Sequence, residues 1–223
     1  DIAGAERETL GVHLGRAPAT NIHRSPLCGR DFEYYSEDPL VSGCAAAAIT
    51  KGVQAHKGCA TTIKHFCCNN QETNRFLSNS VVSERAMREI YLKGFEICVK
   101  TSQPHALMSS YNLVNGEHTC NTKDIQTCAL RDEWGYEGVV MTDWLVTRSM
   151  GDSMSGTENT NKYSKASAAG CVKDGNDITM PGGEEDFADI MDALSNPQHP
   201  YALTRAELQT CAKRVLGSVL KLA

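Results

Sequence analysis

The 223-residue chain is 41% hydrophobic and 22% charged, the balance of a globular protein rather than a disordered one. Its longest apolar run, Cys44–Ile49, falls far short of the ~18 residues that a membrane span needs. The 22 Lys and Arg against 27 Asp and Glu leave a net charge of −5 with no basic cluster. That argues against a nucleic-acid partner and suits a neutral or weakly charged substrate.

Apolar bursts of strand length alternate with longer stretches of helical period. Leu14 to Asn21 opens the series, an apolar start with a polar end, before a loop from Arg24 to Pro39. Leu40 to His56 carries an alanine-rich helical pattern, and Ala60 to Ile63 predicts a short strand delivering Lys64-His65. Ser83 suits the N-cap of a helix whose apolar positions Met87, Ile90, Tyr91, Gly94, Phe95 and Cys98 step by three and four. Ala106 to Ser109 predicts a strand running into Tyr111-Asn112. From about Thr122 a helix places Ile125, Cys128 and Trp134 on one face.

Gly138 to Met141 predicts a strand delivering Thr142-Asp143-Trp144. Arg148 to Ser167, rich in Ser, Thr, Gly and Asn, has the composition of a mobile loop. Asp177 to Met180 predicts a last strand, stopped by Pro181-Gly182-Gly183. The helix after it groups Phe187, Ile190 and Leu194. Thr204 with Glu207 predicts a capping box for a closing helix whose face is Leu208, Cys211, Val215, Val219 and Leu222.

Five strands alternating with helices predict a parallel sheet with helices outside it. In a β/α barrel, the polar residues just past each strand form the active face. Here they are Asn21/Arg24, Lys64/His65, Tyr111/Asn112, Asp143/Trp144 and Met180. A carboxylate, amides, cations and rings in that position suit a sugar, whose hydroxyls need hydrogen bonds and whose ring face stacks on an aromatic. No P-loop, G-x-G-x-x-G or H-E-x-x-H occurs, and Gly151–Gly156 only approaches a nucleophile elbow. The seven dispersed histidines do not pair at metal-ligand spacing, so neither metal nor cofactor is expected. Ten cysteines without C-x-x-C read as reduced structural thiols. Together with the lack of N-x-[ST] sequons, they favour a cytoplasmic protein.

Five motifs in order carry a resemblance. They are Asn21-Ile22-His23-Arg24-Ser25-Pro26-Leu27-Cys28-Gly29-Arg30-Asp31-Phe32-Glu33-Tyr34-Tyr35-Ser36-Glu37-Asp38-Pro39 and Lys64-His65-Phe66 with Asn70-Gln71-Glu72. Then come Met108-Ser109-Ser110-Tyr111-Asn112 with Asn115-Gly116, Gly138-Val139-Val140-Met141-Thr142-Asp143-Trp144, and Asp177-Ile178-Thr179-Met180-Pro181. The set resembles the family 3 glycoside hydrolases in their β-glucosidase form. The resemblance implies an α/β fold, with residues 1–223 forming part of a (β/α)8 TIM-like barrel. An N-terminal strand or more, and the second α/β sandwich domain of two-domain members, are expected to be missing.

The same resemblance implies removal of terminal β-D-glucosyl units by a retaining double displacement, with Asp143 as nucleophile. It implies Arg30, Lys64, His65, Met108, Tyr111 and Trp144 as substrate-binding residues. The chemistry agrees, because a retaining glycosidase needs an ionised carboxylate with a protonated acid roughly 5–5.5 Å away. Plainer roles exist for each residue. Asp143 could cap a loop, Lys64-His65 could be a surface pair, and Arg30 could bridge to Glu33, Glu37 or Asp38. Tyr111 and Met108 could be core side chains, as Trp134 is expected to be.

The resemblance also makes Glu33 and Glu72 loop braces, paired with Arg24 and Arg75, and it places the acid/base of two-domain members on the sandwich domain, outside this chain. The histidine loop that supplies the acid in the bacterial N-acetylhexosaminidase branch is replaced here by Cys67-Cys68-Asn69-Asn70. Two rival readings are a non-catalytic fragment that at most binds sugar and a family 3 β-xylosidase or arabinosidase. The implied partners are a β-glucoside or oligosaccharide and the sandwich domain, with no nucleic acid or membrane; a homo-oligomer stays open. Arg16 departs from the resemblance, standing where the family strand is apolar, and suggests an exposed edge or a degenerate copy.

Overall fold

Helix α1 (Ile2–Leu10), which the sequence pattern did not predict, precedes the short strand β1 (Leu14–Gly15). The computed structural model describes residues 2–76, 78–148 and 163–223. Helix α2 (Pro39–Gln54) starts on a proline, and the Asp38 carboxylate accepts from Leu40 N at 2.7 Å. An acidic cap and a proline at the first helical position are the expected start. Strands β2 (Ala60–Phe66) and β3 (Asn79–Ser80) follow. Ser83 caps α3 (Glu84–Ala86), which runs through a π-helical turn at Met87–Tyr91 into α4 (Lys93–Ser102).

Next come β4 (Ala106–Ser109), a hairpin of β5 (Leu113–Val114) and β6 (Glu117–His118), and a π-type helix over Asp124–Glu133. The chain continues with β7 (Val139–Trp144), α5 (Ala168–Asp174), β8 (Ile178–Met180), α6 (Glu184–Ser195) and α7 (Arg205–Leu222). The main sheet is parallel throughout, in the order β1-β2-β4-β7-β8. Spatial order follows chain order, as in a barrel wall. The curled sheet with its helices is an incomplete TIM-like barrel. A small second sheet, β3-β5-β6, stands beside it.

Alternation along each strand sorts the side chains into two layers. Ile63, Leu107 and Val140 pack outward with Ala46, Phe95, Val99, Leu130 and Trp134. Phe66 anchors that layer, edge-on to Phe95 at 5.1 Å and to Trp134 at 5.9 Å. Ala106, Met108 and Met141 point the other way, where Ile178 and Met180 join them. Helices α2 and α4 approach closely at Gly43, where an added Cβ would lie 2.8 Å from the Gly94 carbonyl oxygen. Seven of the ten cysteines are buried, three of them in the outer layer (Cys67, Cys68 and Cys98), in keeping with small apolar side chains.

One buried ionic knot ties the elements together. Asp177 accepts from Val140 N at 2.9 Å, and its carboxylate pairs with Arg131 at 2.6 Å and Arg214 at 3.1 Å. The Thr204–Glu207 capping box of α7 is present in full.

Three expectations need correction. The π-turn adds a residue to the α3–α4 path and rotates its apolar face, so Ile90 is exposed while Leu92, Phe95, Cys98 and Val99 are buried. Phe187 is 66% exposed while Ile190 and Leu194 pack against Ala193 and Leu203, so the α6 face narrows to two of its three residues. The α7 face holds at Cys211, but Val219 is 58% exposed, so the face does not extend to that residue. The loop expected over Arg148–Ser167 falls mostly on residues 149–162, outside the described residues, as does Gly151–Gly156.

Candidate active site

Strand β7 ends at Asp143 and Trp144, strand β2 passes through Lys64 and His65, and Tyr111 follows β4. These strand ends meet at one face of the sheet. There they line an opening of about 490 Å³ together with Arg16, Arg30, Arg75 and Met108. All seven site residues expected from the sequence therefore come together. Arg16 and Arg75 join them unforeseen.

Asp143 is only 6% exposed. One carboxylate oxygen, Oδ1, accepts from the Trp144 backbone N–H at 2.7 Å. The other, Oδ2, has no hydrogen-bond partner and lies 3.7 Å from His65 Nε2. Burial pushes the Asp143 carboxyl above the ordinary aspartate range; the Trp144 N–H, Tyr111, Arg30 and Arg75 all pull it back. A buried carboxylate with one unpaired oxygen, on a residue that lines the cavity and is surrounded by donors and cations, is a candidate nucleophile.

His65 is 2% exposed. Burial, and then the charges of Arg30, Lys64 and Arg75, hold its imidazole well below the ordinary histidine value. It is therefore a neutral neighbour of Asp143 at neutral pH, not an ion-pair partner. Its backbone is clamped by Asn21, whose amide donates to His65 O at 2.9 Å and accepts from His65 N at 2.8 Å. The Lys64–His65 peptide inside this clamp is cis.

The cations are held by two carboxylates behind the opening. Glu33 pairs with Arg30 and, at 3.3 Å, with Lys64. Although burial pushes Glu33 up, its bond to Arg30 and the Lys64 charge bring it below its ordinary value. Glu72 pairs with Arg75 at 2.8 Å and accepts from Asn69 at 3.1 Å. Both glutamates brace the site, as expected. The expected Glu33–Arg24 pairing does not form; Arg24 instead lies over the Tyr91 ring at 5.6 Å. The plain alternative for Arg30, a bridge to Glu33, does form, and Arg30 lines the opening all the same.

Tyr111 is packed edge-on against Phe76 at 4.4 Å and under the Arg75 guanidinium at 4.8 Å. Burial and then the Asp143 charge raise its phenol well above the ordinary tyrosine value. Met108 is buried yet reaches the opening, so it is both core filler and lining. Trp144 is 44% exposed and forms an aromatic wall, with the Arg16 guanidinium 5.7 Å from its ring centroid. Arg75 could have been suspected from its place three residues after Glu72. Only the break in apolar pattern marked Arg16. Among the described residues, Asp143 is the sole carboxylate lining this opening.

The profile of the family described as "Glycosyl hydrolase family 3 N terminal domain" matches residues 1–217. The chain belongs to glycosyl hydrolase family 3. It is 44% identical to a beta-glucosidase of Ruminococcus albus, over 97% of this chain and 22% of that protein. It is 48% identical to an exo-alpha-(1->6)-L-arabinopyranosidase of Bifidobacterium longum, over 66% of this chain and 19% of that one. Among solved structures, beta-glucosidase 3B of Thermotoga neapolitana in complex with glucose superposes with a TM-score of 0.84 at 41% identity, over 98% of this chain and 28% of that one. The chain thus spans about a quarter of the length of these relatives.

Proposed function

We propose that this family 3 chain supplies the nucleophile half of a retaining β-glucosidase site, with the acid/base carried outside it. The observation that supports the reading most is the placement of Asp143: buried, one oxygen free, at the strand end of an opening ringed by Arg30, Lys64, His65, Tyr111 and Trp144. A terminal glucosyl unit would lie at the buried end of the opening, its hydroxyls bonded by Lys64, His65 and Arg30, with Trp144 at the mouth. The Asp143 carboxylate would attack the anomeric carbon as the glycosidic bond breaks and a proton passes to the leaving oxygen. Water would then release glucose from the glycosyl–enzyme.

Replacing Asp143 by Gly in the full-length protein tests this. Hydrolysis of an aryl β-glucoside is expected to fall at least about 10³-fold, and azide or formate is expected to restore part of it by attacking in the carboxylate's place. Undiminished hydrolysis would sink the assignment.

A second reading changes only the sugar. The similarity to a protein named as an arabinopyranosidase supports it, and a panel of nitrophenyl glucosides, xylosides and arabinosides separates the two.

A further inference from the structure

Arg16 is the residue of the opening that neither the sequence motifs nor the family resemblance explains. Four cations line the cavity beside Asp143: Arg16, Arg30, Lys64 and Arg75. Three are paired with carboxylates behind the opening, Arg30 and Lys64 sharing Glu33 and Arg75 held by Glu72. Arg16 has no carboxylate partner among the described residues, and its only described contact is the Trp144 ring. This local positive charge runs against the chain's net charge of −5, so it does not follow from composition.

Position adds to the argument. The Arg30 and Lys64 side chains are largely covered, whereas Arg16 is exposed, as is Trp144. The cavity therefore has a buried end at His65 and Asp143 and an open end at Arg16 and Trp144. A terminal sugar whose anomeric carbon meets Asp143 occupies the buried end. Its leaving group must project toward the open one.

We propose that Arg16 is a specificity-determining residue that recognises a carboxylate on the aglycone, while Trp144 carries the aglycone ring. The proposal rests on the glycosidase reading of the opening. A guanidinium lying on an aromatic face keeps its N–H fork free at the edge, where it can bind a carboxylate through two parallel hydrogen bonds. The substrate class is an aryl or other cyclic β-glucoside bearing an acidic group at the far end of its aglycone.

The test uses the full-length protein and two non-hydrolysable ligands, 4-carboxyphenyl 1-thio-β-D-glucopyranoside and its neutral methyl ester. Titration calorimetry is expected to give the acid at least about fivefold tighter binding than the ester at low salt, an advantage that shrinks as salt is added. Arg16→Leu should bring the two affinities together, and Arg16→Lys should keep part of the difference. Equal affinities in the unmodified protein, or a preference that survives Arg16→Leu, would overturn the proposal. If Arg16 merely held Trp144 in place, its loss would weaken both ligands alike and leave their ratio unchanged. The corresponding O-glycosides check the underlying reading separately: no turnover, with the acid preference intact, would refute the glycosidase and leave the role of Arg16 standing.

Discussion

His65 Nε2 stands 3.7 Å from Asp143 Oδ2, and both side chains are almost completely buried. At that distance there is no proper hydrogen bond. The histidine is held neutral by burial and by three neighbouring cations, so it adds no positive charge to offset the carboxylate. What keeps Asp143 ionisable is the Trp144 N–H, Tyr111 and the more distant Arg30 and Arg75.

A pH consequence follows for activity. The Asp143 carboxyl is raised by burial, so the acid limb of kcat/KM should lie above the ordinary aspartate value of about 3.9. Arg75→Met removes one of the charges that lower it and should move that limb to higher pH. A limb that stays in place or moves down would refute this electrostatic account.

For folding stability the sign is opposite to that of a salt-bridged acid. The protonated form of Asp143 is the one favoured by the fold, so its contribution is fully present below the unfolded-state value and is lost as pH rises through the folded one. Asp143→Asn should therefore gain stability relative to the parent as pH rises from 3 to 7. Urea midpoints at both values measure it, and a constant difference would contradict it.

Loss of the Asn21 clamp should be costly. Asn21→Ala removes both bonds to the His65 backbone and leaves a buried N–H and C=O unpaired, for a destabilisation of about 2–4 kcal/mol. Urea denaturation reads it, and a change under about 0.5 kcal/mol would show that the clamp is dispensable.

Breaking the ionic knot should cost more than removing it whole. Asp177→Ala strands Arg131 in the interior and should destabilise by about 3–5 kcal/mol. The pair Asp177→Ala with Arg131→Met should recover part of that loss. Equal stability of the single and double variants would argue against a stranded charge.

The two tryptophans should separate in fluorescence. Trp134 is 7% exposed in the core, whereas Trp144 stands at the opening. Acrylamide should quench mainly the Trp144 emission, and Trp144→Phe should leave a blue-shifted, protected signal. Strong quenching that persists in Trp144→Phe would show Trp134 to be accessible.

Much of the layout was legible in the chain itself. Strand-length apolar runs, Ser83 as a cap and the Thr204–Glu207 box report local preferences, and local hydrogen bonds realise them. Helix α5 and the β5–β6 hairpin escaped notice. The first is only seven residues long and the second pairs two residues with two, too short for a period to emerge. The π-turn at Met87–Tyr91 was hidden for a related reason: one inserted residue shifts the register of a helix without altering its composition.

Sequence by itself determined the order of the elements and the family motifs, and with them Asp143 and six of its neighbours. Tertiary structure decided which charges answer which. Glu33 passes over nearby Arg24 to hold Arg30 and the distant Lys64, while Arg16 crosses to the ring of Trp144, far along the chain. Ion pairs and ring contacts depend on distances of a few ångströms between strand ends, and separation along the chain carries no information about those distances until the sheet has brought the ends together.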